Sequence, residues 1–366
     1  MKNNDKKRKK DLTWLFWYIN EKYGNYQRKK EKPERRKKEL SNKSIKIPNF
    51  AILDVTMVCN LNCPMCCVKD RLNVKTDKSL ALEEIKIVIN NLKDHHVERV
   101  MLLGGEPFTR HDLVDIIDYI TRKQIKVIVV TNATLIDDRI IEKLKKYKDN
   151  LSFKVSLDGI KNTHDLIRGK GSYDKLIDTV KKLKNDFVVY FNTTLMKINL
   201  SEVDELIALT YSLDIEGIDL YFEMNYTQEE INKSEQMLKT KICQNISDKK
   251  FEYPYEDFLE IFKKIKGREK VEIHPSILKN TDNHRRFYHS DYGPVKLSCN
   301  VSDAICINQT GNVRMCYFSD LYAGNLLEQP LSKIWNSERF RNYRRDLIAS
   351  NMTPACNKCC MLDCVN

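Results

Sequence analysis

Three cysteines stand close together: Cys59, Cys63 and Cys66, in a Cys-x3-Cys-x2-Cys spacing directly after an apolar run. Three thiolates on one loop can hold three corners of a cubane iron–sulfur cluster and leave its fourth iron without a protein ligand. An iron left open in this way can bind a substrate or cofactor, as the open position of a catalytic metal does. A zinc site and simple buried thiols are the competing readings. Cys67 fits no required spacing and reads as a packed or secondary thiol.

Gly104–Gly105–Glu106–Pro107 ends the next apolar run, one βα unit downstream. Two adjacent glycines let backbone approach a ligand where a Cβ would collide. Alone, the quartet also reads as an ordinary strand-to-helix turn. The third run ends in Thr131–Asn132–Ala133, and the fourth in Ser156–Leu157–Asp158–Gly159, with Arg168–Gly169 beyond it. Hydroxyls and a carboxylate at strand ends suit ribose recognition, and an arginine suits a carboxylate. Helix capping by Asp158 and a structural Arg168 are the alternatives.

A second set of thiols closes the sequence. Cys299 is followed after eleven residues by Gly311, after four more by Cys316, and later by Cys356 and Cys359. Gly311–Asn312 between β-rich runs reads as a hairpin turn that would bring Cys299 and Cys316 together. The Cys356–Cys359 loop can close over them, giving four thiolates. On bare chemistry, that set suits zinc as well as iron. Cys306 reads as core. Cys360 and Cys364 read as spare, or as ligands of a second centre with help from Cys306.

In these motifs the sequence resembles the radical S-adenosylmethionine (radical SAM) superfamily, over Ala51 to about Leu195 and again over Leu297 to Asn366. The resemblance implies that Cys59, Cys63 and Cys66 hold a 4Fe–4S cluster whose free iron is chelated by SAM. It implies a SAM contact for Gly104, Gly105 and Glu106, for Met65 through its backbone, for Ser156 and Arg168, and more weakly for Asn132 and Leu195. Met65 stands where the family usually has an aromatic residue. The closing cysteines resemble the SPASM domain, or its shorter twitch form, which implies at least one auxiliary 4Fe–4S cluster on Cys299, Cys316, Cys356 and Cys359. Gly324–Asn325–Leu326 and Ile334–Trp335–Asn336 agree with it. In relatives that oxidise an alcohol or thiol, an aspartate follows the auxiliary-domain cysteine and takes the proton. Here Tyr317 follows Cys316, leaving Tyr317 and Asp320 as weaker candidates for that role. The expected activity is reductive cleavage of SAM to a 5′-deoxyadenosyl radical and hydrogen abstraction, for oxidation or cross-linking of a peptide or protein. A small-molecule dehydrogenase is the rival, and a non-catalytic iron–sulfur protein the third reading. A flavodoxin or ferredoxin is the expected electron donor.

These residues need strands and helices to position them. Strand-like runs cover Phe50–Thr56, Arg99–Leu103, Lys126–Thr131, Ser152–Leu157, Val188–Leu195 and Ile218–Phe222, with amphipathic stretches between them. Short Val/Ile/Leu-rich runs alternating with helices predict buried parallel strands in βα units. The expected fold is α/β: a partial (βα)6 TIM-like barrel, with sites at the C-terminal ends of its strands, and a small C-terminal cysteine-rich iron–sulfur domain. The expected divisions are a basic extension (1–48), the barrel (49–225), a connecting or substrate-contacting segment (226–296) and the auxiliary domain (297–366).

Composition narrows the classes. Residues 1–48 carry seventeen Lys and Arg against six Asp and Glu, so nearly all of the net charge of +12 lies there. The remainder is close to neutral, and no nucleic-acid binding is expected of it. The extension, with its apolar stretch Leu12 to Ile19, reads as a solvated tail whose short helix packs on the barrel, or as a device that steers an acidic peptide. No apolar run approaches the roughly 18 residues of a membrane span. No small-residue cleavage site follows Ile19, so a cytoplasmic location is expected, where twelve cysteines serve metal or redox chemistry rather than disulfides.

Overall fold

The computed structural model describes residues 30–73, 78–242, 245–246 and 252–365. Leu12–Ile19 and Cys243 lie outside them. A first helical segment, α1, covers residues 30–40. Six strands follow, β1 (Phe50–Thr56), β2 (Arg99–Gly104), β3 (Lys126–Thr131), β4 (Leu151–Ser156), β5 (Val188–Leu195) and β6 (Gly217–Phe222). Between them run α2 (Leu82–Asp94), α3 (Leu113–Arg122), α4 (Asp138–Leu144), α5 (Lys161–Arg168), α6 (Ser172–Leu183) and α7 (Val203–Ser212). The six strands pair in sequence order and in parallel. This is the expected α/β arrangement of six βα units.

The sheet continues at both edges. Short strands β7 (Asn225–Tyr226) and β8 (Asn245–Ile246) pair with each other, and helices α8 (Gln228–Leu238) and α9 (Tyr255–Ile265) lead to β9 (Val271–His274). Strand β9 adds parallel to β6. After α10 (His284–His289) come β10 (Leu297–Cys299), β11 (Ile305–Ile307), β12 (Asn312–Arg314) and β13 (Tyr322–Asn325). Strand β11 pairs parallel with β1, and β12 and β13 extend it antiparallel, giving a ten-stranded sheet. Helices α11 (Leu331–Trp335) and α12 (Glu338–Ala349) precede β14 (Leu362–Cys364), which pairs antiparallel with β10. The hairpin sets Cys306 opposite Arg314, and Cys299 comes to Cys316 from β10, outside the hairpin.

Side chains alternate along each strand. Leu53, Val100, Val127, Phe153, Phe191 and Ile218 are fully buried in the main core with the helices. The opposite, inner face carries the other set, including Asp54, Lys154, Ser156, Asn192, Asp219, Tyr221 and His274. Functional side chains can reach a central lumen only from that face.

Helix α1 does not float. Lys32 pairs with Asp363 and donates to Asn300 Oδ1, Arg35 pairs with Asp303, and Glu39 accepts from Ser302. The described part of the basic extension is thus docked on the cysteine-rich segment by complementary charge.

Candidate functional site

The loop after β1 carries Cys59, Cys63 and Cys66, and backbone contacts clamp it to the loop after β2. Gly105 N–H donates to Thr56 O and Glu106 N–H to Val58 O, both at 2.8 Å. A Cβ on Gly104 would lie 2.0 Å from Thr56 O, and one on Gly105 2.2 Å from Val58 O. These glycines are required because two backbones touch there.

Glu106 faces inward and is 1% exposed. Its carboxylate accepts from Thr131 Oγ1 (2.8 Å), Asn132 N–H (2.7 Å) and Phe108 N–H (3.1 Å). Burial pushes this carboxyl up, and those donors oppose the shift. Asn132 Nδ2 in turn donates to Asn60 Oδ1 at 2.9 Å, and Asn60 Nδ2 to Thr134 Oγ1. Glu106 and Asn132 thereby tie the cysteine loop to the ends of β2 and β3.

Arg168, at the end of α5, reaches the thiols. Its Nε pairs with Asp158 Oδ2, and its Nη1 lies 3.9 Å from Cys63 Sγ. Burial pushes the thiols of Cys59, Cys63 and Cys66 up, and the Arg168 guanidinium counters this at all three. A largely covered cation beside Cys63 fits a group that is anionic when thiolate-bound. Asp158 Oδ1 accepts from Thr194 N–H at 2.7 Å, so the pair is fixed between β4 and β5. Ser156 stands nearby at the C-terminal end of β4, 8% exposed.

Met65 packs with Cys63, Ile167 and Met196 in a small cluster over the loop. Leu195 does not reach it. It is fully buried in the main core, because alternation along β5 turns it toward the helices. Met196, one residue later, is the side chain beside the cysteines, and the sequence reading missed it.

The second thiol set assembles from three segments. Cys299 interacts with Cys359, Cys356 and Cys316, and Cys316 with Cys359 and Cys356. Burial holds all four up, Cys316 to about 12 and Cys356 to about 11; for Cys359 the hydrogen bond with Cys360 is the larger cause. The donor set is wholly sulfur and partly buried, and among the described residues its thiols are not gathered closely enough for a single metal ion, which suits a larger iron–sulfur cluster better than zinc. Tyr226 is fully buried with its hydroxyl unpartnered among the described residues, and it interacts with Cys359, Cys356, Cys360 and Cys316. A donor left open beside thiols fits a cluster whose sulfurs accept hydrogen bonds. Cys306 is core on β11, 1% exposed, with Cys316 near it.

The two regions are joined by groups the motifs did not reveal. Asp54 on β1 pairs with Arg314 on β12, and Tyr317 Oη donates to Asp54 Oδ1 at 3.1 Å. Arg71, from the cysteine loop, pairs with Asp320 at 3.1 Å and donates to Tyr317 O. Tyr317 and Asp320 are thus occupied as structural partners, and burial holds the Tyr317 hydroxyl well up. A charged residue inside the apolar run Phe50–Thr56 was the available signal for Asp54.

Residues 53–210 match the radical SAM superfamily model, and residues 299–360 match SPASM, an iron–sulfur cluster-binding domain. Together the matches span more than half of the chain. The AdoMet-dependent heme synthase of Methanosarcina barkeri is 28% identical over 313 residues, which cover 81% of this chain and 85% of that protein. The subtilosin biosynthesis protein AlbA of Bacillus subtilis is 33% identical over 38% of this chain and 31% of its own. Streptococcus suis SuiB bound to S-adenosylmethionine superposes with a TM-score of 0.64 at 18% identity, over 82% of this chain and 68% of that one. Native anSMEcpe with bound AdoMet has a TM-score of 0.60 at 15% identity, over 85% and 86%. At these identities the superpositions speak for the fold. No helix of the described residues is long and apolar enough to cross a membrane. The chain belongs to the radical SAM superfamily, as an enzyme with a C-terminal SPASM-type domain whose cofactors are a 4Fe–4S cluster, SAM and auxiliary iron–sulfur.

Proposed function

We propose that this enzyme abstracts hydrogen from an unactivated carbon of a peptide or protein and carries the modification on to net oxidation or cross-linking. When bound, the cluster and SAM supply a 5′-deoxyadenosyl radical as the hydrogen acceptor. Cys59, Cys63 and Cys66 hold the cluster. Glu106 and Asn132 set the loop, and the Gly104–Gly105 backbone, Met65, Ser156 and Arg168 line the SAM position, with Asp158 fixing Arg168. Cys299, Cys316, Cys356 and Cys359 hold an auxiliary cluster. A flavodoxin or ferredoxin in the cytoplasm provides the low-potential electron.

The observation that carries this reading is the placing of the second thiol set against the same inner face as the first. Tyr221 on the inner face of β6 has Cys360, next to Cys359, near it, while Ser156 stands on the same face of β4. A substrate in the lumen would meet both. Named relatives add support: a mycofactocin maturase of Mycolicibacterium smegmatis is 29% identical over 43% of this chain, and SuiB is known bound to its precursor peptide SuiA. The heme synthase, matched over most of the chain, favours a second reading in which the substrate is a small molecule.

Anaerobically reconstituted, reduced protein given SAM is expected to form 5′-deoxyadenosine, and Cys63→Ala to form none. Added peptides should then lose two hydrogens by mass. Turnover of small molecules alone would select the second reading, and no 5′-deoxyadenosine with any addition would refute both.

A further inference from the structure

Away from the thiols and from the Asp54–Arg314 pair, the inner face carries a cluster of ionisable groups among the described residues. Lys154 of β4, Asp219 of β6 and His274 of β9 converge there, from three strands and from sequence positions 120 residues apart. One oxygen of Asp219 pairs with Lys154 Nζ at 2.5 Å; the other lies 3.5 Å from His274 Nε2. The His274 ring stacks on Tyr221, with centroids 4.3 Å apart and planes 6° from parallel. Lys154 also lies over the Tyr190 ring at 5.9 Å, and Glu272, next along the inner face of β9, is paired with Lys279.

Register gives the heights. Ser156, Asn192 and Asp219 are aligned across β4, β5 and β6, so Ser156 and Asp219 sit two strand spacings apart, about 10 Å. His274 lies beside Tyr221, one level closer to the C-terminal ends of the strands. Tyr221 in turn interacts with Cys360 of the auxiliary segment. The imidazole therefore stacks on an inner-face residue that has the auxiliary segment near it.

We propose that His274 is the proton acceptor of the oxidative step, with Asp219 as its positioning residue and Lys154 and Tyr221 holding the pair in place. This rests on the oxidative reading of the function. Two-electron oxidation of a C–H carbon bearing a neighbouring O–H, N–H or S–H removes a hydrogen atom, an electron and a proton. With its cofactors bound, the enzyme would have a SAM-derived radical to accept the hydrogen atom and, on Cys299, Cys316, Cys356 and Cys359, an auxiliary iron–sulfur centre as the one-electron oxidant; His274 takes the proton. A C=X bond forms as the X–H bond breaks.

Three observations favour His274. Tyr317, beside the auxiliary Cys316, donates its proton to Asp54 and is closed off. Nε2 is buried and makes no hydrogen bond among the described residues, with Asp219 Oδ1 3.5 Å away, so a neutral ring that carries its proton on Nε2 aims it at that carboxylate and leaves Nδ1 as lone pair. Nδ1 has no hydrogen-bond partner among the described residues, and the side chain keeps 26% exposure. The 3.5 Å separation from Asp219 is long, as such contacts often are before substrate binds. A carboxylate that orients a histidine is the arrangement by which proton-transfer sites hold one tautomer.

Two readouts test this. In the reconstituted, oxidised full chain, long-range ¹H–¹⁵N spectra should show His274, identified by its loss in His274→Gln, as the Nε2–H tautomer. Asp219→Asn should abolish that preference and Asp219→Glu restore it. In turnover, the ratio of 5′-deoxyadenosine to oxidised product should rise about 100-fold or more in His274→Gln, and less in Asp219→Asn. An unchanged ratio in His274→Gln, or an Nδ1–H tautomer in wild type, overturns the proposal. If wild type oxidises no substrate, the functional reading fails on its own and the tautomer still judges the pair.

Discussion

Asp54 and Arg314 form an ion pair 260 residues apart in sequence, with side chains 0% and 1% exposed. It joins the strand that launches the first cysteine loop to the hairpin that precedes Cys316. Burial pushes the Asp54 carboxyl up, and Arg314 with Tyr317 pulls against that. Removing one partner strands a buried charge. Arg314→Met should cost about 3–5 kcal/mol, read from the urea midpoint, and Asp54→Leu added to it should restore most of the loss. Additive losses in the double variant would show that the two do not act as a pair.

Gly105 has no room for a side chain, since its Cβ would meet Val58 O and Val58 C at 2.2 and 2.6 Å. Gly105→Ala must therefore push the cysteine loop away. We expect a destabilisation of about 1–3 kcal/mol and a loss of iron confined to the first site. Equal iron loss from both sites, measured by Mössbauer or EPR quantitation, would contradict a local clamp.

His164 supplies a pH-dependent term. It is 1% exposed, and its Nδ1 accepts from Asp158 N–H, which requires the neutral ring. Burial, then the Arg168 charge, lowers it from 6.5 to about 4. Its folded value lies below its unfolded one, so the unfolded chain binds the proton first. Stability is complete above pH 6.5, falls as pH drops from 6.5 to about 4, and levels below that. Over that window the loss amounts to about 3 kcal/mol. In His164→Gln the denaturation midpoint should vary less over the same window; an identical pH slope would rule this out.

Tyr226 offers a test of the auxiliary site. Its open hydroxyl beside the thiols should stabilise the reduced cluster by donating a hydrogen bond to sulfur. Tyr226→Phe is expected to move the auxiliary midpoint potential negative and leave the first centre where it was. A shift in neither centre, or in both alike, would mean that the hydroxyl points at something else.

Much of the site was legible because it is local. Cys59, Cys63 and Cys66 sit within eight residues, the Gly104–Pro107 quartet follows its strand, and six apolar runs mark six parallel strands with the expected boundaries to within a residue or so. Backbone geometry over a few residues sets these features, and a short window of sequence contains it. Strand β9 was not legible. Val271–Glu272–Ile273–His274 alternates charge with apolar residues because one face looks into the lumen, so it read as part of a charged connector.

What only the tertiary structure decided is which distant residues meet. The pairing of β11 with β1, of Lys32 with Asp363, of Asp54 with Arg314 and of Asp219 with His274 depends on strand order and register. The same distinction explains Leu195 and Met196: one step along a strand exchanges the core for the site. The sequence by itself determined the strands and the thiol spacings, since local periodicity and backbone reach are properties of contiguous residues. Which faces look at one another is settled only when the whole sheet closes around its core, because that choice minimises exposed apolar area and unpaired buried charge over the entire chain.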